Sequence, residues 1–521
     1  MTTNKGIKKL RGKYILDAFD EYSLNGDAYT TKSKLFQLCS SWKKKLKLEE
    51  FNEDYDYLLK EGYLSIEGDD VYMTQVLRYE NYSAMKLATL LQDIEISIQH
   101  LPNVMIGNGD PLTTEQHKAV HMALKNRLSI ILGGAGTGKT TLIEALVKYG
   151  ASELNSDWCL CAPTGKAARN LTTRSGLEAK TLHSALKRCP GDDFLFACEL
   201  EDIRLLVVDE ASMLTLEMFA GLLKAAPEDA RIVLVGDPNQ LLSVGPGNVM
   251  LDLLELGVPS AFLTTCHRQA GAAGALLENV QKFNHIQGFG NLKFDDGFQF
   301  HQKYSTKEVF DHVCKRATDL YLLNKNVQVL SPYNDSTELS VKKLNREIQE
   351  RLNPLVAGNE NRNKQLRIFR NGDRVMIGKN DKQRNICNGD IGTLCIKSDA
   401  PDNLEYTVYF PDGRSATWND KSGLFGLSLA YAITVHKSQG SEYAEIIMPL
   451  IEPFAFTMNR NLIYTAISRA KEQVTLIGSV EVLDKAIQRQ PEKRLSKLVE
   501  KTLSHLSKNQ QLSTNHISKA S

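Results

Sequence analysis

Gly133-Gly134-Ala135-Gly136-Thr137-Gly138-Lys139-Thr140 has the spacing GxxxxGK[ST] and stands between the apolar run LSIIL and the helix-forming segment TLIEALVKY. Strand, glycine loop and helix in that order make a phosphate cradle. Glycines let successive backbone N–H groups converge on phosphate oxygens at the positive end of a helix. Lys139 is then placed to reach the β- and γ-phosphates, and Thr140 offers its hydroxyl to Mg²⁺, with Thr141 following in the first helical turn. ATP and Mg²⁺ are the cofactors this pattern predicts.

Two more apolar runs end in groups of matching chemistry. Leu205-Leu206-Val207-Val208 leads into Asp209-Glu210, two carboxylates at the strand end that faces the phosphate loop. Asp209 suits a metal's coordination shell, and Glu210 suits polarising an attacking water. RIVLVG leads into Asp237-Pro238-Asn239-Gln240. Gln240 is neutral with both a donor and an acceptor, so it can sense a γ-phosphate but not abstract a proton. Asp237-Pro238 also has turn chemistry, and the two readings are compatible.

The elements that must position these groups are legible from texture. From Leu112 short apolar runs alternate with helical segments (LSIILGG, WCLCAPT, LLVVDE, RIVLVGD), as in βα units with a parallel sheet. The same texture returns after Val327, which predicts two α/β cores. Between the later strands, residues 366–425 change to short alternating runs with turn signals at Asn371-Gly372-Asp373, Asn388-Gly389-Asp390 and Pro411-Asp412-Gly413, predicting a small inserted β-barrel. Residues 1–108 read as helices followed by the hairpin GYLSIEGDDVYMT, a winged-helix-like module. The first core is expected over 109–258, the second over 259–365 and 426–483, and a helical, then disordered tail with little to bury over 484–521.

Composition sets bounds. A chain of 521 residues at roughly 100–200 per domain predicts three or four domains, and 42% hydrophobic with 24% charged residues is ordinary for a globular protein. Net charge is +1, so any polyanion track must be a local groove. The basic run Lys43, Lys44, Lys45, Lys47 beside Trp42 could touch phosphates, although such a run is most often a solvated helix face. Nine cysteines form no CxxC pair; Cys159 and Cys161 flank one strand residue and read as thiols of a reducing compartment. MTTNKGIKKLRGKY leads into no apolar core, and no apolar run approaches about 18 residues, so a cytoplasmic protein without a membrane span is expected.

With these motifs in register the chain resembles superfamily 1 helicases of the RecD-like type over residues 112–472. The resemblance rests on LTTEQ at 112–116, APTGKAAR at 162–169, AKTLH at 179–183, CHRQ at 266–269, TVHKSQGSEY at 434–443 and YTAISRAKE at 464–472. It implies two RecA-like P-loop cores, an inserted SH3-like barrel (GDRVMIGKND, NGDIGTL) and a DNA-unwinding ATPase. By position Gln116 looks like the adenine-reading glutamine, Glu442 like the ribose contact, and Arg268 and Arg469 like two arginines reaching the γ-phosphate from the second core. Such cations neutralise charge on the transferring phosphoryl group across a cleft that must close. The DNA track would be Thr164, Gly165, Lys166, Thr181 and His183 from the first core, with Thr434, His436 and Lys437 from the second. Hydroxyls and loop amides suit phosphates without base selectivity.

The resemblance further implies 5′-to-3′ movement and a short duplex-splitting hairpin in the first core, about residues 187–200, within LKRCPGDDFLFACEL. Expected partners are single-stranded DNA, single-strand/duplex junctions and a recombination or replication complex, with the chain itself a monomer. The competing expectation is an ATP-switched nucleic-acid clamp, or a subunit of a larger helicase–nuclease complex, that never separates strands alone. A fused nuclease or nicking centre is not expected, because no cluster of metal ligands is visible in the sequence.

Overall fold

The computed structural model describes residues 10–92, 111–188, 193–196, 200–265, 274–335, 337–355, 368–400, 403–420, 423, 426–452 and 458–517. Three helices and a three-stranded antiparallel sheet come first, the strands being β1 (Tyr29–Thr31), β2 (Leu64–Glu67) and β3 (Asp70–Met73) in the order β1-β3-β2. The expected hairpin is β2–β3, and Gly68 takes the left-handed conformation at its tip, φ +65°.

The first parallel sheet contains β4 (Leu128–Gly133), β5 (Asp157–Ala162), β6 (Ala179–Thr181), β7 (Ile203–Val208), β8 (Arg231–Gly236) and β9 (Ser260–Leu263), in the order β6-β5-β7-β8-β4-β9. β4 and β8 are buried at every position. Helices cover both faces of such a sheet, which is why these strands read as unbroken apolar runs. β9 pairs with β4, Ile130 against Ser260, so this layer extends past the boundary expected at residue 258.

The second parallel sheet begins with β10 (Phe298–Gln302) and β11 (Val327–Ser331). The chain then leaves it to build an antiparallel sheet from β12 (Arg374–Ile377), β13 (Ile391–Ala400), β14 (Asn403–Tyr409), β15 (Ser415–Trp418) and β16 (Leu427–Leu429), ordered β15-β14-β13-β12-β16. It returns through β17 (Ala432–Thr434), β18 (Tyr443–Leu450) and β19 (Ala470–Gly478), completing the order β10-β19-β18-β11-β17. Trp418 and Leu427 sit on opposite edge strands of the antiparallel sheet yet share one core with Val375, Leu394 and Tyr406, so that sheet rolls around its own interior. Gly372, Gly389 and Gly413 hold the three expected turns at φ +90°, +93° and +83°. β16 carries the barrel to residue 429, past the boundary expected at 425, because it pairs with β12.

No hairpin is formed by the described part of the segment read as a duplex-splitting element. Phe194–Phe196 is a single 3-10 turn, and Phe194 is buried in the space left by Gly221, where a Cβ would lie 2.4 Å from its ring. An apolar side chain with a slot beneath it sinks rather than projects. Residues 189–192 and 197–199 lie outside the described residues.

The tail is helical, as expected, but it has more to bury than its composition implies. Residues 489–497 run back across the first core, and the helix Leu498–Ile517 lies on the helix Thr74–Leu90 with Leu498 and Thr502 fully buried. The polar pattern that reads as solvated is an ion-pair seam. Lys501 Nζ lies 2.7 Å from Glu67 and 2.9 Å from buried Glu80, and Lys497 Nζ lies 2.5 Å from Asp70. No helix among the described residues is long and apolar enough to cross a membrane.

One proton is shared in this seam. Ser496 Oγ lies 3.2 Å from Glu80 Oε1 and 3.1 Å from Asp252 Oδ2, and one hydroxyl proton cannot serve both carboxylates. Glu80 is already met by Lys501, by the Lys497 N–H at 2.8 Å and by the Tyr72 hydroxyl at 3.2 Å. Burial pushes the Asp252 carboxyl up to about 7; Ser496 and Lys493 oppose the rise, while Glu80 and Glu255 add to it. The folded value lies above that of the unfolded chain, so the associated stability is complete below about pH 4 and is lost as pH rises through 7. Asp252→Asn can donate to Ser496 at every pH. We expect the melting temperature of the wild type to fall relative to that variant between about pH 5 and about pH 8.5; parallel pH profiles would refute the shared proton.

Candidate functional site

The glycine loop joins β4 to the helix Lys139–Leu154, with Gly136 and Gly138 left-handed at φ +82° and +80°. Side chains would fill the cradle: a Cβ on Gly133 would lie 2.4 Å from Thr137 Oγ1, and one on Gly134 would lie 3.1 Å from the Tyr464 hydroxyl. Lys139 Nζ donates to Gly133 O at 2.6 Å and Gly134 O at 2.8 Å, which lays the ammonium over the loop. Thr137 Oγ1 closes the loop by donating to Gly134 O at 3.0 Å.

Asp209 follows β7 and anchors its strand end through its N–H to Cys161 O at 2.9 Å. Burial pushes its carboxyl up to about 6, with Glu210 adding to the rise and Lys139 opposing it. Glu210 adopts φ +53° at the start of a 3-10 turn, a conformation that costs an L-residue about 1 kcal/mol and turns its side chain out of the strand direction. Thr140, Asp209 and Glu210 line one wall of a cleft of about 700 Å³. Arg469 and Glu442 from the second core and Asp390 from the barrel line the others. This donor set, one hydroxyl and two crowded carboxylates beside a glycine cradle, fits a divalent cation carried with phosphates.

Gln116 is buried and closes a capping box at the start of the helix Thr114–Lys125: its Oε1 accepts the Thr113 N–H at 3.0 Å. Glu442 pairs with Lys471 at 3.1 Å and Arg174 at 3.5 Å. Both cations are more than half exposed, so exchanging them for another partner costs roughly 1 kcal/mol or less. Arg268 lies outside the described residues.

The two sheets meet at the turn after β8. Asp237 forms the expected turn, its Oδ1 accepting the Asn239 N–H at 3.1 Å and its carbonyl the Gln240 N–H at 3.2 Å. It is also fully buried, and Oδ2 accepts from Gln240 Nε2 at 3.3 Å and from the Tyr464 hydroxyl at 2.8 Å. Arg469 donates through Nη2 to Gln240 Oε1 and through Nε to Thr465 O at 3.2 Å. Thr465 Oγ1 accepts the Leu241 N–H at 2.8 Å, Gln439 Nε2 donates to Leu241 O at 2.9 Å and Asn461 Nδ2 to Gln240 O at 3.1 Å. The expected sensor and one expected arginine are therefore in direct contact.

The predicted track residues occupy helix N-caps, first helical turns and a strand end on the two cores. Thr164 and Thr181 are helix N-caps, accepting the Ala167 N–H at 3.2 Å and the Ser184 N–H at 3.1 Å, and Thr434 Oγ1 accepts the Lys437 N–H at 3.3 Å. An accepting hydroxyl still has its own proton to donate. His436 and Lys437 are exposed, and His183 stands edge-on to Phe194 at 5.0 Å. The barrel covers part of the first-core half. Lys166 Nζ donates to Gly389 O at 3.2 Å, and a Cβ on Gly165 would lie 2.6 Å from Cys387 Sγ. Arg169 Nη1 donates to both oxygens of Asp390 at 2.6 and 2.5 Å, and Arg414 reaches the same carboxylate at 3.2 Å.

Sequence reasoning missed Tyr464, Thr465, Asn461, Arg169, Arg174 and Asp390. Tyr464 and Thr465 begin YTAISRAKE, so the motif carries a signal for them. Arg169 and Asp390 are 221 residues apart, and no local pattern joins them.

Residues 111–293 match the AAA domain family, residues 344–410 the ATP-dependent RecD-like DNA helicase SH3 domain, and residues 429–477 the UvrD-like helicase C-terminal domain. The ATP-dependent RecD2 DNA helicase of Deinococcus radiodurans is 32% identical over 454 residues, 84% of this chain and 59% of that protein. The chain thus spans less than two thirds of that relative. The RecBCD enzyme subunit RecD of Mycolicibacterium smegmatis is 30% identical over 423 residues, 72% of this chain and 73% of that protein. A crystal structure of Pif1 helicase from Bacteroides in complex with ADP-AlF3 and ssDNA superposes with a TM-score of 0.45 at 19% identity, covering 73% of this chain and 95% of that one, a likeness too loose to place any residue.

Tyr464→Phe removes the hydroxyl that meets buried Asp237 from the second core. Leaving that carboxylate short of a donor is expected to cost roughly 1–3 kcal/mol, read as a lowered melting temperature. Tyr409→Phe, at a half-exposed ring of the barrel, is the control. Equal melting temperatures for the two variants would mean that the contact contributes nothing.

Proposed function

The chain belongs to the RecD-like DNA helicase family, and on that premise we propose that it is an ATP-driven motor that moves 5′ to 3′ on single-stranded DNA and separates the duplex ahead of it. The observation that carries this reading is the segment Asp237–Leu241, bonded at once by the first core and by Tyr464, Thr465 and Arg469 of the second. A change at the end of β8 must alter how the two sheets meet, and both sheets carry track residues. Alternating grip by two halves of a track is how a hydrolysis cycle becomes stepping.

In this reading both parallel sheets are RecA-like cores. Lys139 holds the β- and γ-phosphates, Gln116 reads the base and Glu442 the ribose. Thr140 and Asp209 would hold Mg²⁺, which would supply charge neutralisation to the phosphates. Glu210 orients the water that attacks the γ-phosphorus as the bond to the bridging oxygen breaks, and Gln240 reads that phosphate. Arg469, with Arg268, brings positive charge from the second core. The first-core half of the track borders the barrel at Gly165 and Lys166, so the barrel loop before Asp390 belongs to the same path.

The first module is winged-helix-like, but its third helix, Leu48–Lys60, carries Glu49, Glu50, Glu53, Asp54 and Asp56. Those charges disfavour a phosphate backbone, which confines any DNA contact there to the exposed Trp42 and the lysines after it. A second reading, an ATP-switched subunit of a larger helicase–nuclease complex, has support because the mycobacterial relative is named as a subunit of RecBCD.

Lys139→Ala and Glu210→Gln should both abolish ATP turnover, the first by weakening nucleotide binding and the second with nucleotide retained. Wild-type turnover in Glu210→Gln would remove its assigned role. A strand-displacement assay with ATP should show unwinding of a duplex with a 5′ single-stranded tail and little of one with only a 3′ tail. Preference for the 3′ tail would overturn the polarity, and DNA-stimulated ATPase with neither substrate unwound would favour the second reading.

A further inference from the structure

The loop after Gln240 is strung between two supports. At its start, Leu241 is held by Thr465 and Gln439 of the second core. At its end, one side chain from the returning C-terminal segment gathers it up. Arg494 Nη1 donates to Ser243 Oγ at 3.0 Å, Gly247 O at 2.8 Å and, more weakly, Gly245 O at 3.4 Å, and Nη2 donates to Ser243 O at 2.5 Å. Only Leu241 and Leu242 separate Ser243 from Gln240, and Gln240, Leu241 and Ser243 are all buried.

The first module closes the other side of the guanidinium. Gly26, at φ +107°, accepts the Gly247 N–H at 2.8 Å, and a Cβ there would lie 2.0 Å from Arg494 Nε. Asp27 Oδ1 accepts the Leu495 N–H at 2.7 Å, and the Ala28 N–H donates to Leu495 O at 2.8 Å, so strap and module are locked in register. Burial lowers the Arg494 guanidinium to about 10, against the pull of Asp27 and Asp252, which still leaves it charged at neutral pH.

We propose that Arg494 is a positioning residue for nucleotide hydrolysis: by fixing Ser243–Gly247 it sets where Gln240 lies, and through Gly26 it makes the first module part of the support for the sensor. This rests on the motor reading above. The physical basis is that hydrolysis depends on sub-ångström placement of the groups around the reacting phosphate, while binding of ATP relies on the glycine loop, which Arg494 does not touch. A support lost three residues beyond Gln240 therefore lowers turnover and leaves binding intact.

The test compares Arg494→Ala and Gly26→Ala, the latter keeping the arginine while crowding its guanidinium out and straining the backbone at φ +107°, with Lys493→Ala, an exposed neighbour, as the control. ATP turnover is measured with an oligo-dT single strand, normalised to nucleotide-binding sites titrated in each preparation, alongside KM for ATP and the Kd for oligo-dT by anisotropy. We expect kcat per site to fall about ten-fold in both variants, with KM and Kd within about two-fold of wild type. A merely structural role would reduce the number of sites and leave kcat per site unchanged. If Arg494→Ala does not fold, Gly26→Ala and Ser243→Ala carry the test, the first expected to show the same loss in kcat alone and the second, which removes one of four hydrogen bonds, a smaller loss in kcat alone. Unchanged kcat per site in variants of a wild type that oligo-dT does stimulate overturns this inference alone; a wild type without DNA-stimulated turnover overturns the motor reading and this inference with it.

Discussion

A carboxylate shut away from water has to be met by protein groups, and Asp237 is met from both parallel sheets at once. Its turn belongs to the first core, while the Tyr464 hydroxyl at 2.8 Å belongs to the second. Gln240 repeats the pattern, donating to Asp237 and accepting from Arg469. Breaking a buried polar network by removing one partner costs more than any exposed contact between the same bodies could restore. The relative position of the two sheets is therefore set at the turn that follows β8.

The same economy of contact recurs along one helix. Gly165–Ser175 meets the second core through Asn170, which donates to Gly440 O, and through Arg174 at Glu442. It meets the barrel through Gly165, Lys166 and Arg169. These contacts differ in weight. The Arg174–Glu442 pair is largely exposed and contributes roughly 1 kcal/mol or less. Arg169–Asp390 is mostly enclosed and charge-assisted, and removing Asp390 would take this carboxylate from two guanidinium groups, those of Arg169 and Arg414. The barrel is thus held to the first core more firmly than Glu442 is held to its cations.

The outer parts of the chain attach by buried charge as well as by apolar packing, Leu87 and Leu498 joining the interior of the first core. Glu80 is fully buried and bonded by Tyr72, Lys497, Ser496 and Lys501, joining the first module to the C-terminal helix. Arg494 does the same for the loop beyond Gln240. Such groups impose register, since a shifted helix would leave charges unpaired in a region without water.

The amino-acid sequence by itself determined the local chemistry: the glycine loop, Asp209 and Glu210, the turn at Asp237, the hairpin around Gly68 and the three barrel turns. Each depends on residues within a few positions of one another, where backbone stereochemistry and strand or helix periodicity leave few alternatives. Tertiary structure alone decided the rest. Phe194, apolar in a turn-rich segment, reads as part of a projecting hairpin until Gly221 is seen to leave a slot for it. The tail after residue 484 has a solvated composition, yet its lysines answer Glu67, Asp70 and Glu80 more than 400 positions away. Asp390 finds Arg169 across 221 positions and Arg494 finds Ser243 across 251. The physical reason is common to all four: a lone charge or ring has no preferred partner along the chain, and the free energy of desolvating it is resolved only when distant elements close around it.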